Sequence, residues 1–369
     1  MIGARGVPAT FGGIEHHVQH LGSRLAERGH DVTVYCRPNY VREPQDRYRG
    51  MRLRHVPTIG TKHLDAIVHS GLSAVDALRG GYDIVHYHAL GPGLVAPLSR
   101  YASRAKVVTT IHGLDNERAK WGRLAKAAHN AGAWVSAHVP DATVTVSKAL
   151  AEHYASVYDR SAHFIPNGVE PGVRRSAEEV RERFRLGADP YVLFVGRLVP
   201  EKAPDLLVRA FRDVPGDVRL VVAGGVSFTT DYATQGQREA AADPRVVLPG
   251  YVYGDALAGL YANAAAFVLP SFVEGLPLTL LEAAAHGAPL LASDIAPHVE
   301  VLVDDGPGHR LFPVGDQAAL TAQLSRILAA PATEREGAEA TRERILAEYR
   351  WEAVVTATED LYRQLLLRA

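Results

Sequence analysis

Short apolar runs of strand length alternate with longer helix-like stretches along nearly the whole chain of 369 residues. That alternation is the mark of parallel sheets covered by helices on both faces. The runs are Asp31–Cys36, Met51–Val56, Asp83–Tyr87, Lys106–Ile111, Ala142–Val146 and Ala162–Ile165, followed by Tyr191–Val195, Val218–Ala223, Val246–Leu248, Ala265–Leu269 and Leu290–Asp294. Asn167-Gly168 and Pro171-Gly172 punctuate the chain between the two series. A chain of this length favours two domains, drawn here at 1–170 and 171–350. Residues 351–369 form a closing helix whose apolar stripe is Trp351, Val354, Val355, Leu361 and Leu365. The fold class is α/β with two doubly wound parallel sheets.

The start is anomalous. Only Met1-Ile2 precedes a glycine-rich loop from Gly3 to Gly13, where a core strand of about 5–6 residues is expected; this reads as a first strand cut short, with Met1 an internal start. The loop leads into a helix over Ile14–Arg28 ended by Gly29. Gly12 and Gly13 permit close backbone approach and offer N–H groups to an anion, but no GxGxxG follows any strand. His16 and His20 are one helical turn apart beside His17, a weak zinc spacing without HExxH; the reading is a solvated helix face. His86 and His88 share one face of a strand end, where they either meet a ligand or pack. Thr109-Thr-Ile-His112-Gly113 is a strand end that breaks at glycine, so His112 is expected in the ligand crevice at the carboxyl ends of the strands.

Ala265-Ala-Phe-Val-Leu-Pro-Ser-Phe-Val-Glu274-Gly-Leu-Pro-Leu-Thr-Leu-Leu-Glu282-Ala-Ala-Ala-His-Gly287 reads as a buried strand, a short loop and a helix. Pro277 suits the first helical position, and Gly287 suits a left-handed end cap. Backbone N–H groups near Leu276, Leu278 and Thr279 open this helix as an anion site, Pro277 between them having none. Two carboxylates bracket it. Both would be repelled by phosphate, so each is expected to accept hydroxyl groups elsewhere on the same ligand. A ligand with a diphosphate in the middle and polyols at both ends is a nucleotide sugar. Each glutamate alone is equally readable as a surface charge, although Glu282 stands in a nearly all-apolar helix.

Composition narrows the partners. The part through Glu170 is net basic and carries most of the 17 histidines, while the remainder is net acidic. That polarity suits an anionic partner such as a lipid phosphate, or arises by chance. The basic residues are spread and stacking aromatics are few, so nucleic acid is not an expected partner. A helix over Asn116–His138 places Arg118, Lys120, Arg123 and Lys126 among Trp121, Leu124 and Trp134; it reads as an ordinary surface helix, with a membrane-surface role left open. The lone Cys36 excludes an internal disulfide and fits a reducing, cytoplasmic compartment.

Glu274-(x)7-Glu282 in this setting resembles the signature of the family-four retaining glycosyltransferases with the GT-B fold. Phe194-Val-Gly196-Arg197-Leu-Val-Pro-Glu-Lys202 resembles their donor-phosphate loop, and Phe164-Ile-Pro-Asn-Gly-Val169 their interdomain entry. Gly3-Ala-Arg-Gly-Val-Pro-Ala-Thr-Phe-Gly12-Gly13-Ile-Glu-His-His-Val18 resembles the opening of bacterial rhamnosyltransferase-like members. The resemblance implies two Rossmann-like domains facing a cleft. It also implies a nucleotide diphosphate sugar as donor, a glycan or lipid-linked hydroxyl acceptor, and a role in cell-surface polysaccharide or glycolipid synthesis at or near the inner membrane face. It assigns catalytic roles to His112, Arg197, Lys202 and Glu274, with Gly12, Gly13, Gly196, Tyr253 and the stretch Gly275–Thr279 around the donor. Glu274 would hold sugar hydroxyls, Glu282 the ribose, and the backbone near Tyr251–Tyr253 would flank the base. Asn116-Glu117 stands where close relatives often carry tryptophan. No Asp-x-Asp pair occurs, so neither a metal-chelated diphosphate nor any cofactor is expected. Two other readings stay open: a nucleotide-sugar epimerase on the same fold and a non-catalytic nucleotide-sugar-binding subunit.

Overall fold

The computed structural model describes residues 1–10, 12–40, 44–59, 65–114, 123–173, 175–225 and 230–368. Phe11, the stretch from Asp115 to Trp121 with Asn116, Glu117, Arg118 and Lys120, and the Arg123, Leu124 and Lys126 side chains lie outside the described residues. The chain divides into two compact units, Met1–Gly168 with Trp351–Ala369, and Val169–Arg350.

In the first unit the strands are β1 (Thr33–Cys36), β2 (Arg47–Tyr48), β3 (Met51–His55), β4 (Ile84–His88), β5 (Lys106–Ile111), β6 (Ala142–Thr145) and β7 (His163–Phe164). They run in the orders β1-β3-β2 and β4-β5-β6-β7. Met1 and Ile2 sit between the two groups. Tyr35 N–H donates to the Met1 carbonyl at 3.0 Å, Ile2 N–H to His86 at 2.9 Å, and His88 N–H to Ile2 at 2.9 Å. Two residues therefore fill the place of the first strand, and the order reverses between them and β4. At such a reversal the loops at the carboxyl ends part to leave a ligand crevice. A side chain at Gly3 would collide with the His88 backbone, so the first loop turns directly over the end of β4.

The Gly13–Glu27 helix and the Trp351–Leu367 helix pack together in this unit. Trp351, Val354, Val355, Leu361 and Leu365 join Val18, Leu21 and Leu25 in one core cluster. Fully burying each such aliphatic side chain stabilises the fold by roughly 1.5–3 kcal/mol. At the rim, the Arg28 guanidinium donates to Glu359 at 3.1 Å and His30 bonds the same carboxylate at 2.9 Å.

The second unit holds β8 (Tyr191–Val195), β9 (Arg219–Ala223), β10 (Val246–Gly250), β11 (Ala266–Leu269), β12 (Leu290–Ser293) and β13 (His309–Phe312). They form one parallel sheet in the order β10-β9-β8-β11-β12-β13, reversing between β8 and β11. β8, β9, β11 and β12 are buried nearly throughout, which is why they read as unbroken apolar runs. β13 corrects the sequence reading, which took Gly308–Asp316 as a loop. Its apolar run is interrupted by Arg310, a buried guanidinium paired with the buried Glu334. The β2–β3 hairpin was also invisible, since β2 has only two residues. Among the described residues, no helix is long and apolar enough to cross a membrane. Trp134 is exposed and stacks on His138, 4.5 Å between ring centres.

Candidate active site

In the Val169–Arg350 unit the loops after β8 and β11 emerge side by side at the reversal. The first carries Gly196, Arg197 and Lys202; the second carries Ser271, Glu274 and Gly275. Lys202 Nζ forms an ion pair with Glu274, and Ser271 Oγ donates to the same carboxylate oxygen at 2.8 Å. Burial alone would raise the Glu274 pKa, but the Lys202 charge, aided by His298 and the Ser271 hydroxyl, holds it below the ordinary carboxylate value. Arg197 reaches Glu201 at 3.7 Å. The sequence reading treated the two basic residues as phosphate ligands and Glu274 as a sugar ligand; the fold joins Lys202 and Glu274 into one charged pair.

Glycine packing brings these loops together. A Cβ on Gly224 would run into the Gly196 carbonyl, and its φ of +151° lies where side chains are rarely tolerated. Gly196 N–H donates to Ala223 at 3.0 Å, Gly224 N–H to Gly250 at 2.8 Å and Leu198 N–H to Gly225 at 3.1 Å. The ends of β8, β9 and β10 are thereby laced into one rim.

The helix after β11 is Leu278–Ala285, with Pro277 as its N-cap rather than its first helical residue. No side-chain hydrogen bond caps this end; the first N–H groups of a helix have no intrahelical partner, which suits such an end to an anion. Gly287 ends it with φ +72°. Glu282 accepts a hydrogen bond from the Tyr261 hydroxyl at 3.0 Å, and His286 stacks on the same tyrosine. Burial pushes the Glu282 pKa up to about 7, against a smaller opposing effect of the Tyr261 hydroxyl. The two glutamates bracketing the helix start thus differ in kind: Glu274 is held charged, while Glu282 is poised near neutrality.

His298 escaped the sequence reading. It is fully buried, bonds the Ser293 carbonyl through Nδ1 at 2.8 Å, and contributes to the field at Glu274. Ser293 Oγ in turn donates to the Ser271 carbonyl at 2.5 Å. Nothing in the sequence pattern around His298 marked it. Ser271 was detectable, three residues before Glu274 in the same loop.

Tyr251 and Tyr253 are exposed, with near-parallel rings 6.0 Å apart. They line a cavity of about 510 Å³ with Arg183, Phe184, Arg185 and Pro249; Arg197, Lys202, Glu274 and Glu282 are not among its walls.

In the first unit, a side chain at Gly12 would strike the Glu15 carboxylate, which also accepts from Arg5 N–H at 3.0 Å. The loop that the sequence offered to an anion is organised around this buried acid. The histidines also depart from expectation. His17 is buried, not solvated, because it lies on the helix face that carries Val18, Leu21 and Leu25 into the core. His16 and His20 flank it, and His20 stacks on Trp351 at 5.1 Å. His112, at the end of β5, meets His88, at the end of β4: Nδ1 of His88 and Nε2 of His112 lie 3.2 Å apart and share a hydrogen bond. His17 stands edge-on to His112 with 4.8 Å between ring centres. His86 is a packing residue, stacked on His88 and bonded to Thr110 and Tyr362 at 2.6 Å each. Burial drives the pKa values of His88 and His112 well below the ordinary range and that of His17 to about 4, so all three rings are neutral.

Residues 11–173 match Glycosyltransferase Family 4, and residues 189–330 match Glycosyl transferases group 1. D-inositol 3-phosphate glycosyltransferase of Acidothermus cellulolyticus is 30% identical over 86% of this chain and 78% of its own. Sucrose-phosphate synthase from Thermosynechococcus elongatus superposes with a TM-score of 0.84 at 24% identity, covering 100% of this chain and 98% of that one. Anabaena HepE in complex with UDP-glucose superposes with a TM-score of 0.79 at 15% identity, covering 95% and 96%. With its two parallel-sheet Rossmann-like units and these matches, the chain belongs to the family 4/group 1 glycosyltransferases of the GT-B fold.

Proposed function

We propose that this glycosyltransferase retains anomeric configuration as it moves a hexosyl or deoxyhexosyl unit, rhamnosyl in the resembled subgroup, from a nucleotide diphosphate sugar to a hydroxyl acceptor. The observation that carries the reading is the Lys202–Glu274 pair at the β8/β11 reversal, beside an uncapped helix N-terminus. Arg197, Lys202 and the Leu278–Thr279 backbone would stabilise the charge that grows on the departing diphosphate; oriented donors of this kind supply the largest share of catalysis in many enzymes. Glu274 would accept from donor-sugar hydroxyls while Lys202 keeps it charged. Glu282 would accept from the ribose. His112 is assigned, by family resemblance, to the donor sugar near the reacting carbon.

Retention here needs no carboxylate nucleophile. The acceptor hydroxyl attacks on the face from which the diphosphate departs, and the leaving phosphate takes its proton. Cationic side chains do the work that a chelated metal does elsewhere, so catalysis proceeds without one. The UDP-glucose complex of HepE supports a nucleotide diphosphate sugar as donor. The inositol-phosphate glycosyltransferase relative supports a polyol or phosphorylated acceptor, in keeping with the basic first unit, and with polysaccharide or glycolipid synthesis.

A thermal-shift screen across nucleotide diphosphate sugars tests the reading, since a ligand bound only to the folded state raises apparent stability by mass action. One donor family should shift the wild-type chain and fail to shift Arg197→Ala. No shift from any donor at millimolar concentration would reject it.

A further inference from the structure

We propose that His17, His88 and His112 form a zinc-binding site with three imidazole ligands and an open fourth position, and that zinc bound there takes His112 away from the donor sugar. The second half rests on the role given to His112 above; the first half stands on the geometry alone.

Each ring offers one ligand atom, and the three atoms lie within 4.8 Å of one another. Zinc bonded to imidazole at about 2.0–2.1 Å in a tetrahedron sets its ligand nitrogens about 3.3–3.4 Å apart. The His88 Nδ1 to His112 Nε2 separation of 3.2 Å already matches one edge of that figure. The widest separation has at most about 1.4 Å to close to reach the tetrahedral edge.

One buried atom points the same way: His17 Nδ1 has no hydrogen-bond partner. A buried polar atom left unpaired is destabilising, and an ion coordinated by that nitrogen removes the penalty. His86 is adjacent, but both its nitrogens are engaged by Thr110 and Tyr362, so it braces the site and does not complete it. His17 and His88 are buried while His112 is only partly so, which gives an ion its way in. An all-imidazole set without carboxylate selects zinc over magnesium or calcium.

Zinc(II) titration of the full chain by calorimetry, with cobalt(II) absorption as a probe of tetrahedral ligation, is the test. Wild type should take up one equivalent and show intense visible cobalt bands. His88→Asn and His17→Gln should each weaken uptake by more than ~10²-fold, beyond the 10–100-fold typical of outer-shell changes. The His16→Ala/His20→Ala variant should bind like wild type. Absence of uptake would overturn the site, as would uptake that survives His88→Asn and His17→Gln but disappears with His16 and His20. In transfer assays zinc should inhibit and chelator restore activity. Zinc uptake with undiminished transfer would overturn the competition for His112 and leave the donor reading standing.

Discussion

Replacing Lys202 by methionine keeps most of the side-chain volume and removes the charge beside Glu274. The two side chains are 17% and 8% exposed, so the pair is largely dry. Breaking such a pair by removing one partner costs roughly 3–5 kcal/mol, because the remaining charge is buried without compensation. A body the size of Val169–Arg350 shifts about 2–4 °C per kcal/mol, so 3 kcal/mol is a drop of roughly 6–12 °C in its melting transition. The pH dependence fixes the cause. In wild type the Glu274 pKa is depressed, so its stabilising contribution is present above the unfolded value of about 4.3 and lost as pH falls through the folded value. In the variant burial acts unopposed and raises that pKa, so the penalty appears as pH climbs and vanishes when the carboxyl is protonated. Circular dichroism melts at pH 8 and pH 4, fitted with separate transitions for the two units, should show the deficit at pH 8 and little of it at pH 4. Lys202→Met/Glu274→Gln should recover most of the loss. A deficit below about 2 °C at pH 8, or one as large at pH 4, would show that the Lys202–Glu274 charge pairing is not its cause.

Other expectations follow from the same rim. Arg197→Ala and Lys202→Ala should each lower transfer by ~10²-fold or more in a nucleotide-release assay. Glu282→Ala should weaken binding of free nucleoside diphosphate, whereas Glu274→Ala should spare that binding and impair use of the intact donor; calorimetry separates the two. Because the Glu282 pKa is raised to about 7, its ionisation destabilises the fold progressively as pH rises from about 4.3 to 7, so Glu282→Gln should be more stable than wild type at pH 8 and equal to it at pH 4 in denaturant titrations. Gly224→Ala should disrupt the contact with the Gly196 carbonyl and abolish donor-induced thermal shifts. Chelation should leave transfer intact in metal-depleted buffer, and abolition rescued by magnesium or manganese would contradict the cationic diphosphate site.

The second unit was the more legible in sequence. Its central strands are buried on both faces and read as apolar runs, and strand-glycine-basic and strand-proline-glutamate motifs mark the loops at the reversal. What escaped was set by distance along the chain. Lys202 and Glu274 are 72 residues apart, and only the neighbouring positions of β8 and β11 make them a pair. His298 reaches the same network from a different loop. β13 was hidden because Arg310, paired with Glu334, breaks its apolar pattern. In the first unit His17 is buried, against the solvated-face reading, because a histidine on an amphipathic helix takes its burial from the packing of Val18, Leu21 and Leu25, not from its own chemistry. The His88–His112 contact follows from the parallel pairing of β4 with β5, in which His88 stands opposite Thr110; the strand ends were located, but their register was not.

The central claim is retaining transfer from a nucleotide diphosphate sugar at the β8/β11 reversal. Real-time NMR of the donor identified by thermal shift, with acceptor or with water as a slow substitute, follows the anomeric proton directly. The first-formed sugar product should carry the donor's anomeric configuration, and Arg197→Ala should form it ~10²-fold more slowly. An inverted first product, or a rate that Arg197→Ala leaves unchanged, would contradict that claim.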